Sequence, residues 1–242
     1  MKAVLIKEFK TDFVIEDVEM PKVREGDALV KVRASCLCAA DAKIRDGKMP
    51  TLKLPHIPGH EVVGEVVETG KGVRSAQVGD RVVVYMYTVC GDCPGCRSGR
   101  ENLCAHIIRM GFERQGGHAE YVAVPERQLI KLPENISFEE GAAIHDALST
   151  MLHAVREQGS VKLNDYVVLL GVGGLGMQGI QIARLSGGRV IAVDTNEQKL
   201  EFAKGLGAEW VLDGKDAGLA EKILELTGGR GADVVIDLVS TQ

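Results

Sequence analysis

Hydrophobic and polar residues follow different patterns in the two halves of the chain. Up to about residue 130, short valine-rich runs are separated by turn sequences such as Glu-Gly-Asp, Val-Gly-Asp and Gly-Lys-Gly. Runs of this kind predict β-strands, because β-branched residues pack well on a pleated sheet. They are AVLI, ALVKVRA, EVVGEVVE, RVVVYMY and AEYVAV. The pattern predicts a compact β-rich domain in the first half.

The pattern changes to a helical period after residue 136. Ser137 is followed three residues later by Glu140, and this capping box predicts the start of a helix. The helical pattern then runs to about Glu157. We expect this helix to join the two halves of the chain.

Strand and helix patterns alternate from Asp165 onward. The segments are YVVLLG, MQGIQIARLS, RVIAVD, EQKLEFAKGLG, WVLD, residues 217–227 and DVVIDLV. Thr195 with Gln198 forms a second capping box at a helix start. Such alternation is typical of a parallel sheet covered by helices. The sequence therefore predicts an α/β protein with two domains, residues 1–150 and residues 151–242.

Composition and charge limit the classes of partner. The 242 residues are 45% hydrophobic and 26% charged, with a formal net charge of −5. This acidic balance argues against a nucleic-acid or membrane surface, so small molecules are the expected partners. The first apolar run is too short for a signal-peptide core, which predicts a cytoplasmic protein. The uncharged span 166–183 contains five glycines, and we interpret it as strand, loop and helix rather than a membrane span.

A glycine-rich loop, GVGGLG, follows the first strand of the second half. Its key residues are Gly171, Gly173, Gly174, Leu175 and Gly176. Glycines permit the tight turn and let backbone amides approach a pyrophosphate, which the helix N-terminus attracts. Asp194 ends the next strand and would bind a ribose 2′-hydroxyl but repel a 2′-phosphate, so NAD is favoured over NADP. The alternative is a glycine-rich turn without a ligand, but the order of strand, loop, helix, strand and acid favours a dinucleotide.

Four of the six cysteines lie within one short segment, CGDCPGCRSGRENLC. They are Cys90, Cys93, Cys96 and Cys104. Four thiolates at this spacing satisfy tetrahedral zinc and leave no position for water, which is typical of a structural site. An iron–sulfur cluster or two disulfides are the alternatives, but a reducing compartment and a proline-glycine turn favour zinc.

The remaining two cysteines, in CLCAADAK, suggest a second metal site of another kind. A catalytic zinc needs three protein ligands and one open position. His60 and Glu61, in PGHE, are candidate companions for Cys38, and Asp41 could accept from the other ring nitrogen of His60 and fix its tautomer. Taken alone, a single histidine such as His60 is more often an interior residue with satisfied hydrogen bonds than a metal ligand.

Together these motifs resemble those of the zinc-containing medium-chain alcohol and polyol dehydrogenases. The resemblance rests on GHE at 59–61, the four cysteines, GGHAEYV at 116–122, and GVGGLG with Asp194. It implies a GroES-like β-rich catalytic domain followed by a Rossmann-type parallel-sheet NAD-binding domain. Family members continue with further strands, so the second domain is expected to be incomplete at its C-terminus. The family also commonly forms dimers or tetramers, which implies a homo-oligomer in the full-length form.

The resemblance also assigns roles to particular residues. In this family, a cysteine followed three residues later by aspartate binds the catalytic zinc, which matches Cys38 and leaves Cys36 outside the site. The third ligand lies seven residues before a histidine on the bridging helix, and counting back from His153 gives Asp146. The neighbouring His145 is the competing candidate. Lys199 is implied to lie near the adenosine ribose, although it could also be an ordinary solvated helix charge.

Two positions depart from the family pattern. The hydroxyl residue that normally follows the zinc cysteine by two positions is Ala40 here, and the histidine often found five positions after it is Lys43. Without that hydroxyl, the alcohol proton would leave through water, Glu61, His145 or Lys43. The resemblance implies zinc as a Lewis acid on the substrate oxygen and NAD as hydride acceptor, with a secondary alcohol or polyol as substrate.

Two other functions remain open at this point. Quinone and enoyl reductases share the fold but generally lack the zinc ligands, which argues against that alternative. The chain could also be a truncated, inactive zinc-binding fragment of a longer dehydrogenase, because the strands that complete the nucleotide sheet in the family are missing.

Overall fold

The computed structural model describes residues 1–49 and 52–239. The chain forms two compact units, Met1–His145 and Asp146–Gln242. Their boundary falls inside one helix, close to the division at residue 150 expected from the sequence.

The first unit is built on an antiparallel sheet. Its strands are β1 (Lys2–Leu5), β2 (Val14–Asp17), β3 (Asp27–Cys36), β4 (Glu61–Thr69), β5 (Arg81–Val84), β6 (Tyr87–Thr88), β7 (Ile108–Arg109), β8 (Tyr121–Pro125) and β9 (Leu129–Lys131). Five of them pair in the order β8-β3-β4-β5-β9, while β1 pairs with β2 and β6 with β7. Its short helices are α1 (Ala39–Arg45) and α2 (Pro94–Arg97), with single 3₁₀ turns at Glu101–Leu103 and Glu126–Gln128.

Valines of β4 and β5 form the centre of this unit. Val62 pairs with Val84 across the two strands, and Val66 and Val82 are also fully or almost fully buried. Each buried valine contributes roughly 1.5–3 kcal/mol relative to an exposed one. The predicted valine-rich strands therefore supply the core of the first unit.

One predicted strand is interrupted. The run RVVVYMY forms β5 only as far as Val84, and β6 begins at Tyr87. The amide of Tyr85 donates instead to the Gln128 carbonyl at 2.7 Å. This bond to Gln128, more than forty residues away, interrupts the strand. The pattern of apolar residues could not predict such a long-range contact.

The second unit contains the predicted alternation of strands and helices. Its elements are β10 (Tyr166–Leu170), α4 (Gly174–Leu185), β11 (Arg189–Asp194), α5 (Glu197–Gly205), β12 (Trp210–Asp213), α6 (Leu219–Leu226) and β13 (Val234–Asp237). All strand pairs are parallel, in the order β12-β11-β10-β13. This order places β10 and β11 centrally, where their apolar runs are almost completely buried. The α/β prediction is confirmed.

Helix starts agree with the capping prediction at one place and differ at another. Helix α3 (Phe138–Leu152) begins after Ser137, whose amide donates to the Glu140 carboxylate while its hydroxyl accepts from the Glu140 amide. A π-helical turn, His153–Gln158, follows α3. At α5, however, the cap is Asn196, whose side chain accepts from the Lys199 amide at 3.1 Å. The predicted capping box at Thr195 is therefore wrong, because the adjacent asparagine occupies the cap position.

No helix among the described residues is long and apolar enough to cross a membrane. The uncharged span 166–183 is divided between β10 and the start of α4, with the glycine loop between them.

Candidate active site

The four-cysteine segment, residues 90–104, brings its sulfur atoms into one tight group. All four lie within 4.8 Å of one another. The Sγ separations are 3.5 Å for Cys93–Cys96, 3.6 Å for Cys104–Cys90 and 3.9 Å for Cys90–Cys96. Zinc 2.3 Å from four sulfurs at the corners of a tetrahedron would separate them by about 3.8 Å. The four sulfurs therefore fit a zinc ion with no open position.

Backbone amides favour the thiolate form of two of the four cysteines, Cys93 and Cys104, whose pKa values are lowered. The amides of Cys90 and His106 each lie 3.4 Å from the Cys104 sulfur and donate to it. Hydrogen bonds from backbone amides lower the pKa of the Cys93 thiol to about 6, and the largest contribution comes from the Cys96 amide. A hydrogen bond with Asp92 raises the pKa of Cys90 to about 12. A bound dication would remove that proton, because a coordinating thiol is deprotonated.

A second group of possible metal ligands contains Cys38, His60 and Glu61. Their ligand atoms all lie within 4.8 Å of one another. Cys38 immediately precedes α1, Glu61 begins β4, and His60 is 2% exposed. The Nε2 atom of His60 lies 3.8 Å from Oε1 of Glu61. A thiolate, an imidazole and a carboxylate at these separations fit the donor set of a catalytic zinc.

The carboxylate of Asp41 lies behind this group, but its main partners are not the predicted ones. Its Oδ1 atom is 3.9 Å from Nδ1 of His60, longer than a hydrogen bond. Its Oδ2 atom accepts from the Cys38 amide at 2.8 Å and lies 3.4 Å from Nε2 of His118. Burial opposes ionisation, but the hydrogen bonds from His118 and Cys38 outweigh it and lower the pKa of Asp41.

Two residues near this group were not identified from the sequence as site residues. Phe112 is 8% exposed, and its ring centroid lies 5.0 Å from that of His60. The guanidinium of Arg109 lies 4.6 Å above the Phe112 ring and is bound by Glu113. No sequence motif indicates an aromatic contact of this kind, so only the folded structure reveals it.

The other cysteine of the opening motif is placed differently. Cys36 ends β3 directly opposite Glu61 of β4. Burial, together with the nearby Glu61 carboxylate, raises the pKa of its thiol. Cys36 lies outside the group formed by Cys38, His60 and Glu61, and the choice of Cys38 over Cys36 as zinc ligand stays a prediction.

Three further candidates lie on helices α1 and α3. Ala40 packs against the core of the first unit, and Lys43 is exposed on α1. Asp146 lies on the part of α3 that belongs to the second unit, half-buried, and its carboxylate accepts from the Thr150 hydroxyl at 3.4 Å. The choice of Asp146 over His145 as third zinc ligand stays a prediction.

The glycine loop of the second unit has the shape expected of a dinucleotide cradle. Gly171 has a positive φ of 93°, which a side chain would strain. A Cβ atom on Gly176 would come within 2.2 Å of the Gly171 carbonyl oxygen, so only glycine allows α4 this close to the strand end. A Cβ atom on Gly173 or Gly174 would meet nothing within 4 Å. Backbone at the start of α4 is therefore open to a ligand.

Asp194 lies beside this loop and is held as a carboxylate. Its Oδ2 atom accepts from the Val172 amide at 2.8 Å, and Oδ1 accepts from the Asn196 amide at 2.9 Å. Lys199 places its ammonium 3.7 Å from Oδ2. Burial opposes ionisation, but these amides and Lys199 lower the pKa of Asp194. The residues predicted to bind the adenosine ribose thus lie together at the end of β11.

Two protein-family models match the chain. Residues 24–134 match "Alcohol dehydrogenase GroES-like domain", and residues 174–242 match "Zinc-binding dehydrogenase". An alcohol dehydrogenase of Geobacillus stearothermophilus is 41% identical over 97% of this chain and 70% of its own length. The chain belongs to the zinc-containing medium-chain dehydrogenase family.

Other relatives agree with this assignment. An L-threonine 3-dehydrogenase of Rhizobium etli is 33% identical over 98% of this chain and 69% of its own length. A solved structure of an NAD-dependent alcohol dehydrogenase superposes with a TM-score of 0.92 at 36% identity, covering 97% of this chain and 70% of that one. The predicted family, its fold and the interconversion of an alcohol and its ketone with NAD(H) are confirmed. The comparisons favour this function over a quinone reductase or an inactive fragment.

Proposed function

We propose that this chain carries a zinc-dependent alcohol dehydrogenase activity, with zinc at two positions and NAD as the preferred cofactor. The observation that carries the proposal is the convergence of Cys38, His60 and Glu61, with ligand atoms within 4.8 Å of one another in a largely buried site. Reductases on the same fold generally lack these ligands.

The two zinc positions have different roles. Cys90, Cys93, Cys96 and Cys104 would hold a structural ion, because four sulfurs fill its coordination shell. Cys38 and His60 would hold the catalytic ion, with Asp146 as third ligand and Glu61 beside it. When bound there, zinc supplies a Lewis acid that lowers the pKa of the substrate alcohol.

Each surrounding residue orients a ligand or the cofactor. Asp41 accepts from the Cys38 amide and so holds the start of α1, while its other oxygen lies 3.9 Å from Nδ1 of His60. In the second unit, the amides of the loop Gly171–Gly176 would bind the pyrophosphate and Asp194 the ribose. NAD supplies the hydride acceptor when bound.

A secondary alcohol or polyol is the proposed substrate class. The aspartate at position 146 matches the secondary-alcohol branch of the family. One relative is named for L-threonine, which carries a secondary hydroxyl. We also propose a homo-oligomeric, cytoplasmic enzyme, since a reducing compartment suits free thiols at six positions.

The proton of the alcohol would leave by water in place of a hydroxyl relay. Ala40 carries no hydroxyl, and Lys43 is exposed to solvent. The Glu61 carboxylate belongs to the same group of possible ligands, 3.8 Å from His60, and could accept the proton through one water.

A panel of simple secondary alcohols and polyols tests the proposal. Formation of NADH from NAD, or of NADPH from NADP, is measured before and after a chelator removes zinc. We expect oxidation of secondary alcohols with NAD, loss on chelation and recovery with added Zn²⁺. Quinone reduction that persists in the chelated protein, without alcohol oxidation in the loaded one, would favour the reductase alternative.

A further inference from the structure

A row of hydrogen-bonded side chains, Ser35, His118 and Asp41, leads to the proposed catalytic zinc ligands. Ser35 Oγ lies 2.9 Å from Nδ1 of His118. Nε2 of the same ring lies 3.4 Å from Oδ2 of Asp41, which in turn accepts from the Cys38 amide at 2.8 Å. The His118 side chain is 7% exposed and the Asp41 side chain 3% exposed.

The direction of these hydrogen bonds follows from the acceptor at the inner end. An ionised carboxylate only accepts, so Nε2 of His118 is the donor to Asp41. In the neutral imidazole, Nδ1 is then the acceptor, and the Ser35 hydroxyl donates to it. Ser35 thereby selects the His118 tautomer that serves Asp41.

Backbone pairing fixes the position of His118 relative to His60. The amides of Gly116, Gly117 and His118 donate to the carbonyls of Ile57, Gly59 and Pro58, at 2.6, 2.9 and 3.0 Å. A Cβ atom on Gly59 would come within 2.7 Å of the His118 ring. The residue before the metal-ligand histidine is therefore a glycine that the His118 ring covers directly.

A cleft of about 280 Å³ lies at the outer end of this row. Ser35, His118 and Arg33 are its polar lining residues, and its apolar lining includes Val4, Phe13 and Leu37. The row therefore ends in a small, largely apolar space and not in the packed core of the sheet.

We propose that His118, held by Ser35, is a positioning residue that fixes the Asp41 carboxylate between the Cys38 amide and the His60 ring, and so orders two ligands of the catalytic zinc. The inference rests on the proposed function, because it concerns the zinc site assigned there. His118 contributes two directional contacts to Asp41 and Ser35 that an apolar ring could not make.

Zinc affinity of the full chain tests this role independently of catalysis. Zinc is titrated against a competing chelator, and two binding events are expected. The weaker one is assigned to the catalytic site if it disappears in the Cys38→Ser variant. We expect His118→Phe to weaken that site by about tenfold, the lower end of the effect for residues that orient ligands. His118→Gln should stay within about threefold of the original protein, because an amide can donate to Asp41 and accept from Ser35.

A matched control separates positioning from general damage. His56 is also buried, at 3% exposure, but its Nε2 lies 2.9 Å from the Gly111 carbonyl, outside the Ser35–His118–Asp41 row. His56→Gln should lower the melting temperature without a change in zinc affinity above about threefold. Unchanged affinity in His118→Phe, or equal losses in His118→Phe and His118→Gln, would overturn the positioning role. Binding of only one zinc by the original chain would instead overturn the proposed function itself.

Discussion

The four-cysteine segment and the Cys38 group differ in how the chain assembles them. The segment collects four identical ligands from one stretch, residues 90–104, and its sulfurs are 3.5–3.9 Å apart where hydrogen-bonded. The Cys38 group combines three different ligand types from the start of α1 and the start of β4. Its geometry depends on the β3–β4 pairing and on residues behind the ligands.

This difference separates a closed site from an open one. Four thiolates satisfy zinc completely and can only stabilise the surrounding loop. A thiolate and an imidazole leave room for further ligands and for a substrate oxygen. The residues around the open group, namely Asp41, His118, Phe112 and Ser35, are buried or half-buried, and we propose that Asp41 and His118 hold its ligands in place. A closed site needs no such support because its ligands constrain one another.

The largest expected effect comes from breaking the open site. Cys38→Ser should lower kcat/KM for alcohol oxidation by at least about a thousandfold, because loss of a Lewis acid removes several kcal/mol of transition-state stabilisation. The melting temperature should change little, since Cys38 is only half-buried and lies at the start of a short helix. Steady-state kinetics and a thermal melt measure the two effects. A variant that keeps a tenth or more of the activity would contradict the role of Cys38.

Breaking the closed site should have the reverse pattern. Cys93→Ser removes one of four sulfurs from a group whose members Cys93 and Cys104 are buried. We expect a loss of roughly 2–5 kcal/mol in unfolding free energy, by analogy with removal of a disulfide cross-link, and release of one zinc per chain. Chemical denaturation and metal analysis measure these changes. If Cys93→Ser lost zinc without losing stability, the segment would not be a structural site.

Asp194 offers a test outside both zinc groups. Asp194→Asn removes the charge that repels a 2′-phosphate while an amide oxygen can still accept from the Val172 backbone. We expect the preference for NAD over NADP in kcat/KM to fall by about tenfold, which corresponds to ~1.4 kcal/mol. The zinc content should be unchanged, so Asp194→Asn is also a control for the two cysteine variants. A preference for NADP in the original protein would show that Asp194 is misassigned.

The smallest expected effect is a loss of stability from breaking the Arg109–Glu113 ion pair. Arg109 lies over Phe112, which packs against His60 of the open site. Burial opposes ionisation of Glu113, but hydrogen bonds from Arg109 outweigh it and lower its pKa to about 2. A lowered pKa stabilises the fold above the unfolded value near 4.5, and this contribution disappears as the pH falls toward about 2. Glu113→Gln should therefore cost about 1 kcal/mol at pH 7.

The pH dependence of the stability of Glu113→Gln shows whether the loss comes from the ion pair. The difference in unfolding free energy from the original protein should be constant above about pH 5 and should vanish near pH 2. Urea denaturation at several pH values measures it. A difference that did not depend on pH would mean that the amide disturbs packing around Phe112 and that the ion pair contributes little.

Much of the fold follows from the sequence because local patterns determine it. The parallel sheet agrees with prediction almost residue by residue at β11, whose run RVIAVD forms Arg189–Asp194. The four cysteines are recognisable for the same reason, since their ligand spacing is local. Short elements were missed: β2, β7, β9 and α1 have few residues and no clear period, and α1 is fixed by the Asp41 side chain accepting from the Cys38 amide.

The open site could be predicted only in part. Cys38, His60 and Glu61 are candidates from the residues themselves, and the family resemblance adds the choice of Cys38 over Cys36. The convergence of the three residues depends on the β3–β4 register. His118 lay inside the quoted motif GGHAEYV, yet nothing in its spacing indicated a contact with Asp41. Long-range backbone pairing between residues 116–118 and 57–59 creates that contact. Interactions of this kind are properties of the folded chain and leave no local pattern.

Anomalous diffraction at the zinc absorption edge, from crystals of the full chain, tests the two-site arrangement most directly. We predict two zinc peaks, one about 2.3 Å from each of four sulfurs in the segment 90–104 and one bound by Cys38 and His60. A single peak at the four-cysteine segment in an enzyme that oxidises alcohols with NAD would contradict the catalytic zinc site.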